Sequence, residues 1–147
     1  MLYQILLDLH SWNRWIVLAL GLLAVVSAFG VSRHSEPRSL ARRASLFFMM
    51  SVDIQLLLGV VLYVVTPWIS AFFANPAAGM QDPTTRFWAI EHDFGMVVAI
   101  ILVHIGNVMM KRGGSRKPAI MFAIALLIMI ATIPWPFLPY GRPLLRL

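Results

Sequence analysis

The sequence predicts an all-α integral membrane protein, a four-helix bundle with both termini on the outer, periplasmic side of the membrane. The first observation is composition, since 60% of the 147 residues are hydrophobic and only 12% are charged. That is too little polar surface to cover a soluble domain of this size. The second is length, because four apolar runs approach the roughly 20 residues that cross about 30 Å of hydrocarbon. These runs show no period-two alternation, which excludes strands.

The predicted spans occupy one transmembrane domain, residues 1–147. They cover about residues 12–32, 44–65, 87–110 and 118–133, and an interfacial tail, 134–147, follows. Helix is predicted to begin as early as Tyr3, and the first run is a retained helix because no positive segment or small-residue cleavage site accompanies it. Thr66-Pro67 ends the second span, and a series of prolines after Ile133 ends the fourth.

The basic residues predict the orientation of these spans. The connections 33–43 and 111–117 hold eight of the twelve Lys and Arg residues. Cytoplasmic connections are enriched in such residues, so both termini are predicted to lie outside. All five tryptophans and four of the six acidic residues then fall at the outer side. The net charge of +6 is explained by topology, and no nucleic-acid partner is predicted.

One long connection, 68–86, separates the second and third spans. Its first half is apolar enough to lie along the membrane interface as a short amphipathic turn. Asn75-Pro76 and Asp82-Pro83 are expected to break it, because each pairs a turn residue with proline.

Several kinds of chemistry are excluded by the residues that the chain lacks. It has no cysteine, which excludes disulfides, iron–sulfur clusters, covalently attached haem and thiol catalysis. It has no glycine-rich phosphate loop, nucleophile triad or zinc-protease motif. The sequence therefore carries no catalytic motif, and a redox-active chain would be an electron carrier rather than a stand-alone enzyme.

Two histidines near the outer ends of the first and third helices form the main candidate site. His10 and His92 lie at similar depth, as the two iron ligands of one haem b would. Arg14 or Arg86 is predicted to pair with the haem propionates. Three small residues near these histidines are expected to leave room for the haem macrocycle, namely Gly21, Gly95 and Ala99. The alternative is an interfacial polar network that pins two helix ends and consists of His10, Arg14, Glu91 and Asp93.

A second polar set lies deeper in the membrane. Asp53 is ten residues from Arg43, and His104 is seven from Lys111, so their depths differ by about 5 Å. They are predicted to form a buried polar pair, which either relays protons or is a satisfied internal contact. A second haem on His104 is not predicted, because His104 is turned by about 120° from His92 and no histidine of another span lies at its depth.

The closing segment, IPWPFLPYGRPLLRL, is rich in proline and aromatic residues. It is predicted to lie against the outer surface as an interfacial anchor. The alternative is a binding segment, in which Arg142 and Arg146 contact phosphates or a partner protein.

Four stretches carry a resemblance to a known family. They are HSWNRW at residues 10–15, DIQLLLGVVLY at 53–63, RFWAIEHDFGM at 86–96, and IPWPF at 133–137 with a following Arg-Pro. Their order and spacing extend over essentially the whole chain, and they resemble a family of small bacterial four-span membrane proteins labelled cytochrome b (cytochrome b-like). The resemblance implies a multi-pass protein of the bacterial inner membrane and points to His10, Arg14, Glu91 and His92. That family often has histidine at the position of Asp53, and this chain departs from it there.

The leading expectation is a small membrane subunit of an electron-transfer complex, respiratory or photosynthetic, with one haem b held by His10 and His92 near the outer interface. The alternative is a cofactor-free accessory subunit that packs against a larger membrane complex and binds lipid, pigment or quinone. A transporter or channel is not favoured, because the spans offer no evident pore.

Overall fold

Helices form all the regular secondary structure in residues 1–32, 34 and 37–144, which are the residues that the computed structural model describes. Arg33 and Arg146, which figured in the predicted topology and closing segment, lie outside them. The elements in chain order are α1 (Leu2–Ser32), α2 (Arg38–Val65), α3 (Pro67–Ala74), α4 (Pro76–Gln81), α5 (Pro83–Arg86), a π-helical turn (Phe87–Glu91), α6 (His92–Lys111) and α7 (Arg116–Ala131).

Three stretches of helix are long and apolar enough to cross a membrane. They are α1, α2, and the continuous helix from Pro83 through the π-helical turn to Lys111. Each has at least 28 residues, or about 42 Å of helix. The predicted fourth span corresponds to α7, which has 16 residues and is about 24 Å long. That is shorter than the hydrocarbon core of a typical bilayer. Three of the four predicted spans are therefore confirmed by length and composition.

The ends of the helices follow the turn residues of the sequence. Thr66 has an extended backbone, and Pro67 begins α3 directly after it. The Asn75 side chain accepts a hydrogen bond from the backbone of Ala78, and Asp82 accepts one from Thr85 in the same way. Hydrogen bonds from Thr85 hold the pKa of Asp82 below its ordinary value, so this exposed capping carboxylate is ionised at neutral pH. The breaks predicted in the connection 68–86 are confirmed at both positions.

Four of the helices share one core. α1 packs against α2 and α7, and α6 packs against α2 and α7. Phe48 of α2 and Phe122 of α7 meet edge to face in this core, with their ring centroids 6.0 Å apart. A Cβ on Gly21 would lie 2.9 Å from the Phe48 ring, and one on Gly106 would lie 2.5 Å from the Phe122 ring. These glycines therefore set how closely the helices approach one another.

The small residues expected beside the histidines serve the same packing purpose. A Cβ on Gly95 would lie 2.5 Å from Thr132 Cγ2, and Ala99 is fully buried in the core. Gly21 packs against Phe48 and Leu126. The expectation that these residues leave room for a macrocycle was wrong, because tight helix packing already occupies the space beside them.

The two basic connections lie at one end of the molecule. The Arg38 guanidinium, at the start of α2, donates hydrogen bonds to the carbonyls of Gly113 and Gly114, just beyond the end of α6. His10 and His92 lie towards the opposite end. The structure thus separates a basic end from an end that carries histidines and tryptophans, as the positive-inside argument requires.

Candidate functional site

A cavity of about 250 Å³ lies between α1, α2 and α6, towards the end away from the basic connections. Both candidate histidines line it, and so do Arg14, Gln55 and Asp93. Most of its wall is aliphatic. The apolar lining residues are Val17, Leu18, Val52, Leu56, Gly59, Val60, Met96, Val97, Ile100, Met129 and Ile133. A mostly apolar cavity with a few convergent polar groups is typical of a ligand site.

His92 is positioned by the π-helical turn and by α7. The turn ends at Glu91, immediately before this histidine, and such turns occur frequently at functional sites. His92 Nδ1 lies 2.9 Å from the Thr132 carbonyl oxygen at the end of α7. A carbonyl only accepts, so Nδ1 carries the proton and the lone pair of the neutral imidazole is on Nε2. This is the tautomer of a histidine that ligates a metal through Nε2.

His10 is held through its backbone carbonyl, and no described residue hydrogen-bonds to Nδ1 of its ring. The Gln55 side chain donates a 2.9 Å hydrogen bond to the His10 carbonyl, and Asn13 donates a 2.8 Å hydrogen bond to Gln55 Oε1. His10 Nδ1 is fully buried, and no described residue hydrogen-bonds to it. A Cβ on Gly59 would lie 3.4 Å from His10 Cε1. The ring therefore occupies a place beside α2 that only a small residue leaves open.

The two imidazoles face each other across the cavity. Their ring centroids are 6.4 Å apart, and the ring planes are inclined at 63°. No described group bridges them. A buried imidazole nitrogen without a hydrogen-bond partner is costly, so His10 Nδ1 marks this cavity as a candidate ligand site.

A smaller cavity of about 120 Å³ adjoins the first and shares both histidines with it. Its outer wall consists of Trp68, Trp88, Arg142 and Pro143. The Arg142 guanidinium lies 5.2 Å from the centre of the Trp88 ring. The closing segment thus covers the outer mouth of the site and brings a cation to it.

The closing segment is anchored by stacking and by hydrogen bonds. Tyr140 stacks on Phe87 of the π-helical turn, with ring centroids 3.7 Å apart. The Leu144 carbonyl accepts hydrogen bonds from Arg14 Nη2 at 2.6 Å and from Trp15 Nε1 at 3.1 Å. These contacts hold the closing segment against the end of the helices that carries His10 and His92.

Arg86 lies away from the cavities. Its Nε donates a 2.7 Å hydrogen bond to Glu91 Oε1, and its Nη1 donates to the Met80 carbonyl. The candidate pairing of Arg86 with propionates is thus replaced by a pairing with Glu91, five residues along the same helix. The alternative polar network also loses Glu91, because Glu91 contacts Arg86 and not His10. Arg142 is the second arginine at the cavities.

The deeper polar set lies on the outer surface of the helices. His104 Nε2 is 3.2 Å from Asp53 Oδ1. The pair was expected to be buried, and that was wrong, since 44% of the His104 side chain and 42% of the Asp53 side chain are exposed. Helices α2 and α6 pack against each other. The two side chains therefore meet at the exposed edge of this helix contact and not inside it.

Sequence reasoning missed three residues that shape the site, namely Gln55, Gly59 and Thr132, and it assigned Arg142 to the closing segment without connecting it to the histidines. A signal existed for Gln55, since a polar residue within a span calls for a partner. Thr132 acts through its backbone carbonyl, which any residue type would supply, so no sequence signal marks it. No group of three or more His, Asp or Glu side chains that could hold a bare metal ion occurs in the described part of the chain.

The main cavity has an opening between α2 and α6. Val60 and Val97 line it, and each is about half exposed on the outer surface of the helices. This gap leads sideways towards the apolar surface, where lipid would lie.

Comparison with protein-family models, with curated proteins and with solved structures finds no match for this chain.

Proposed function

We propose that this chain is a small membrane subunit of an electron-transfer system that holds one haem b between His10 and His92. The main observation in support is that the two imidazoles line one apolar cavity, with their ring centroids 6.4 Å apart. Two imidazoles on one iron have centroids about 6 Å apart, since each iron–nitrogen bond is about 2 Å and each nitrogen lies about 1 Å from its ring centroid.

The donor set favours haem over a bare ion. Two histidines alone satisfy few metals, whereas His10 and His92 would be enough to hold a haem, which would bring its own further nitrogen donors. His92 Nδ1 donates its proton to the Thr132 carbonyl, so Nε2 is the nitrogen that can bind the iron. The orphaned His10 nitrogen also supports a ligand here.

The remaining polar residues suit the periphery of a haem. Arg14 lines both cavities and Arg142 lines the outer one, so both are placed to pair with propionates. The apolar wall would exclude water and thereby tune the redox potential. When bound, the haem supplies reversible one-electron transfer, and the chain supplies the ligands and their surroundings.

The membrane arrangement that we propose is the predicted four-helix bundle. α7 would cross as the fourth helix in a locally thinned bilayer, together with the apolar residues that follow it. The basic end would face the cytoplasm of a bacterial inner membrane, which places the site near the outer interface. A chain this small has little surface outside the membrane, so its electron donor and acceptor would be parts of a larger membrane complex.

The experiment is a reduced-minus-oxidised absorption spectrum of the purified protein, with matched histidine variants. The unsubstituted protein should show a sharp α-band. His92→Gln should abolish or shift it, while His104→Gln, the same change on the same helix, should leave it unchanged. An α-band of unchanged position and height after the change at His92 would contradict the proposal. Equal yields of inserted protein for the two variants exclude a loss of folding.

A second candidate function is favoured by the sideways opening at Val60 and Val97. The chain would then be a cofactor-free accessory subunit whose cavity binds a quinone or a lipid chain that enters from the bilayer. Mass spectrometry of the purified protein distinguishes the two. A flat visible spectrum with a stoichiometric quinone or lipid supports this second function.

A further inference from the structure

The Asp53–His104 pair lies at membrane depth on the outer surface of the helices. Asp53 is about 15 Å along α2 from Arg43, and His104 is about 10 Å along α6 from Lys111. Both side chains are more than 40% exposed. The large side chains that neighbour them along the same surface are apolar, for example Leu57 and Ile101. Contact between an ionisable pair and lipid at this depth costs free energy, so we expect another protein surface to cover the pair.

The two side chains of this pair are joined by a hydrogen bond. His104 Nδ1 lies 3.0 Å from the Ile100 carbonyl oxygen, which only accepts, so Nδ1 carries a hydrogen. The 3.2 Å contact between Nε2 and Asp53 Oδ1 is then attractive only with a proton between them. The pair therefore presents a hydrogen-bond donor beside an acceptor across the junction of α2 and α6.

We propose that this face binds a second copy of the same chain, as a two-fold dimer within the membrane. A two-fold axis along the membrane normal keeps both copies at the same depth and in the same orientation. It also places α2 of one copy opposite α6 of the other. Each Asp53 then meets the partner copy's histidine, and the two pairs form a ring of alternating hydrogen-bond donors and acceptors. The pair is thus complementary to itself, which a lipid chain cannot match.

This dimer does not depend on the proposed haem, because the pair lies outside both cavities. It would, however, place two cavity openings near one another. The opening lies between the same two helices, at Val60 and Val97, on the side of the pair away from the basic end.

Disulfide cross-linking tests the dimer directly, because the chain has no cysteine of its own. Two differently tagged copies are expressed together, one with Leu57→Cys and the other with Ile101→Cys. In the proposed dimer these positions face each other across the interface, one turn outward from the pair. Mild oxidation of native membranes should join the two tags. The matched control replaces Leu57→Cys by Leu127→Cys on α7, since the two leucines are 67% and 66% exposed. It should give no joined product.

The role of the pair is tested by two further variants in a dimer equilibrium, for example energy transfer between labelled copies diluted into lipid. Asp53→Leu should weaken the dimer roughly tenfold, because two interhelical polar contacts are lost. The double change Asp53→His with His104→Asp keeps the alternating ring and should restore most of the affinity. Equal cross-linking of the α2 and α7 positions, or an unsubstituted protein that stays monomeric at high density in lipid, would overturn the proposal. If Asp53→Leu fails to insert, the cross-link in the unsubstituted background still decides.

Discussion

At the scale of single residues, two histidines on α6 show how a shared chemistry leads to different roles. His92 and His104 each donate Nδ1–H to a backbone carbonyl. For His104 the acceptor is Ile100, one turn earlier in its own helix, so the ring stays along the helix surface and meets Asp53. For His92 the acceptor is Thr132 of another helix, and the ring is held inside the molecule. The partner of Nδ1 decides where Nε2 points.

Gly59 provides a prediction at this scale. A leucine there would extend over the His10 ring, because even a Cβ would lie 3.4 Å from Cε1. We expect Gly59→Leu to displace the imidazole and to lower the haem-to-protein ratio severalfold, or to shift the α-band. Gly59→Ala is the control, because 3.4 Å is an ordinary contact distance, and it should keep the spectrum. A full haem complement with an unshifted α-band in the leucine variant would contradict the place assigned to His10.

At the scale of elements, the π-helical turn and the α6–α7 contact place the site together. The turn interrupts the α-helical spacing just before His92, and Tyr140 stacks on it from the closing segment. α7 reaches the site because Gly95 and Gly106 let it lie close against α6. The Thr132 carbonyl is thereby brought to His92. One close helix contact thus sets the tautomer of a histidine at its end.

Gly106 tests this close contact. An added Cβ would lie 2.5 Å from the ring of Phe122, which is fully buried and has no free space to move into. We expect Gly106→Ala to lower the free energy of unfolding by about 1–3 kcal/mol from overpacking, only partly offset by the better helix propensity of alanine. Unfolding by sodium dodecyl sulfate, followed by circular dichroism, measures it. Gly59→Ala should be neutral or slightly stabilising, and equal losses in both variants would show that the α6–α7 distance is not the cause.

At the scale of the whole molecule, charge and aromatic residues are separated along the helix axes. The basic end is closed by Arg38 at the carbonyls after α6. The opposite end is closed by the tail from Pro134, whose Leu144 carbonyl binds Arg14 and Trp15. A site between two such ends is near the outer interface if the basic end faces the cytoplasm.

Single cysteines test that orientation. Gln81 is exposed in the connection between α2 and α6, and Ser39 is exposed at the start of α2. With a membrane-impermeant thiol reagent on intact cells, we expect Gln81→Cys to be labelled and Ser39→Cys to resist. Both should react once the cells are made permeable, which serves as the control. The reverse pattern would invert the protein in the membrane and move the site to the cytoplasmic side.

The sequence by itself determined the helical class, the long apolar spans, their breaks at proline and the separation of charge. These are local properties, because hydropathy, proline geometry and loop charge act within a few residues of chain. It also pointed to His10 and His92 as one set. Only the tertiary structure decided which small residue lies beside a candidate histidine. That residue is Gly59, which borders the His10 imidazole, and not Gly21, Gly95 or Ala99. Only the tertiary structure also showed that Arg142, and not Arg86, lies at the cavities, and that the Asp53–His104 pair is exposed. The direction of a side chain depends on the rotation and approach of neighbouring helices, which the sequence does not reveal.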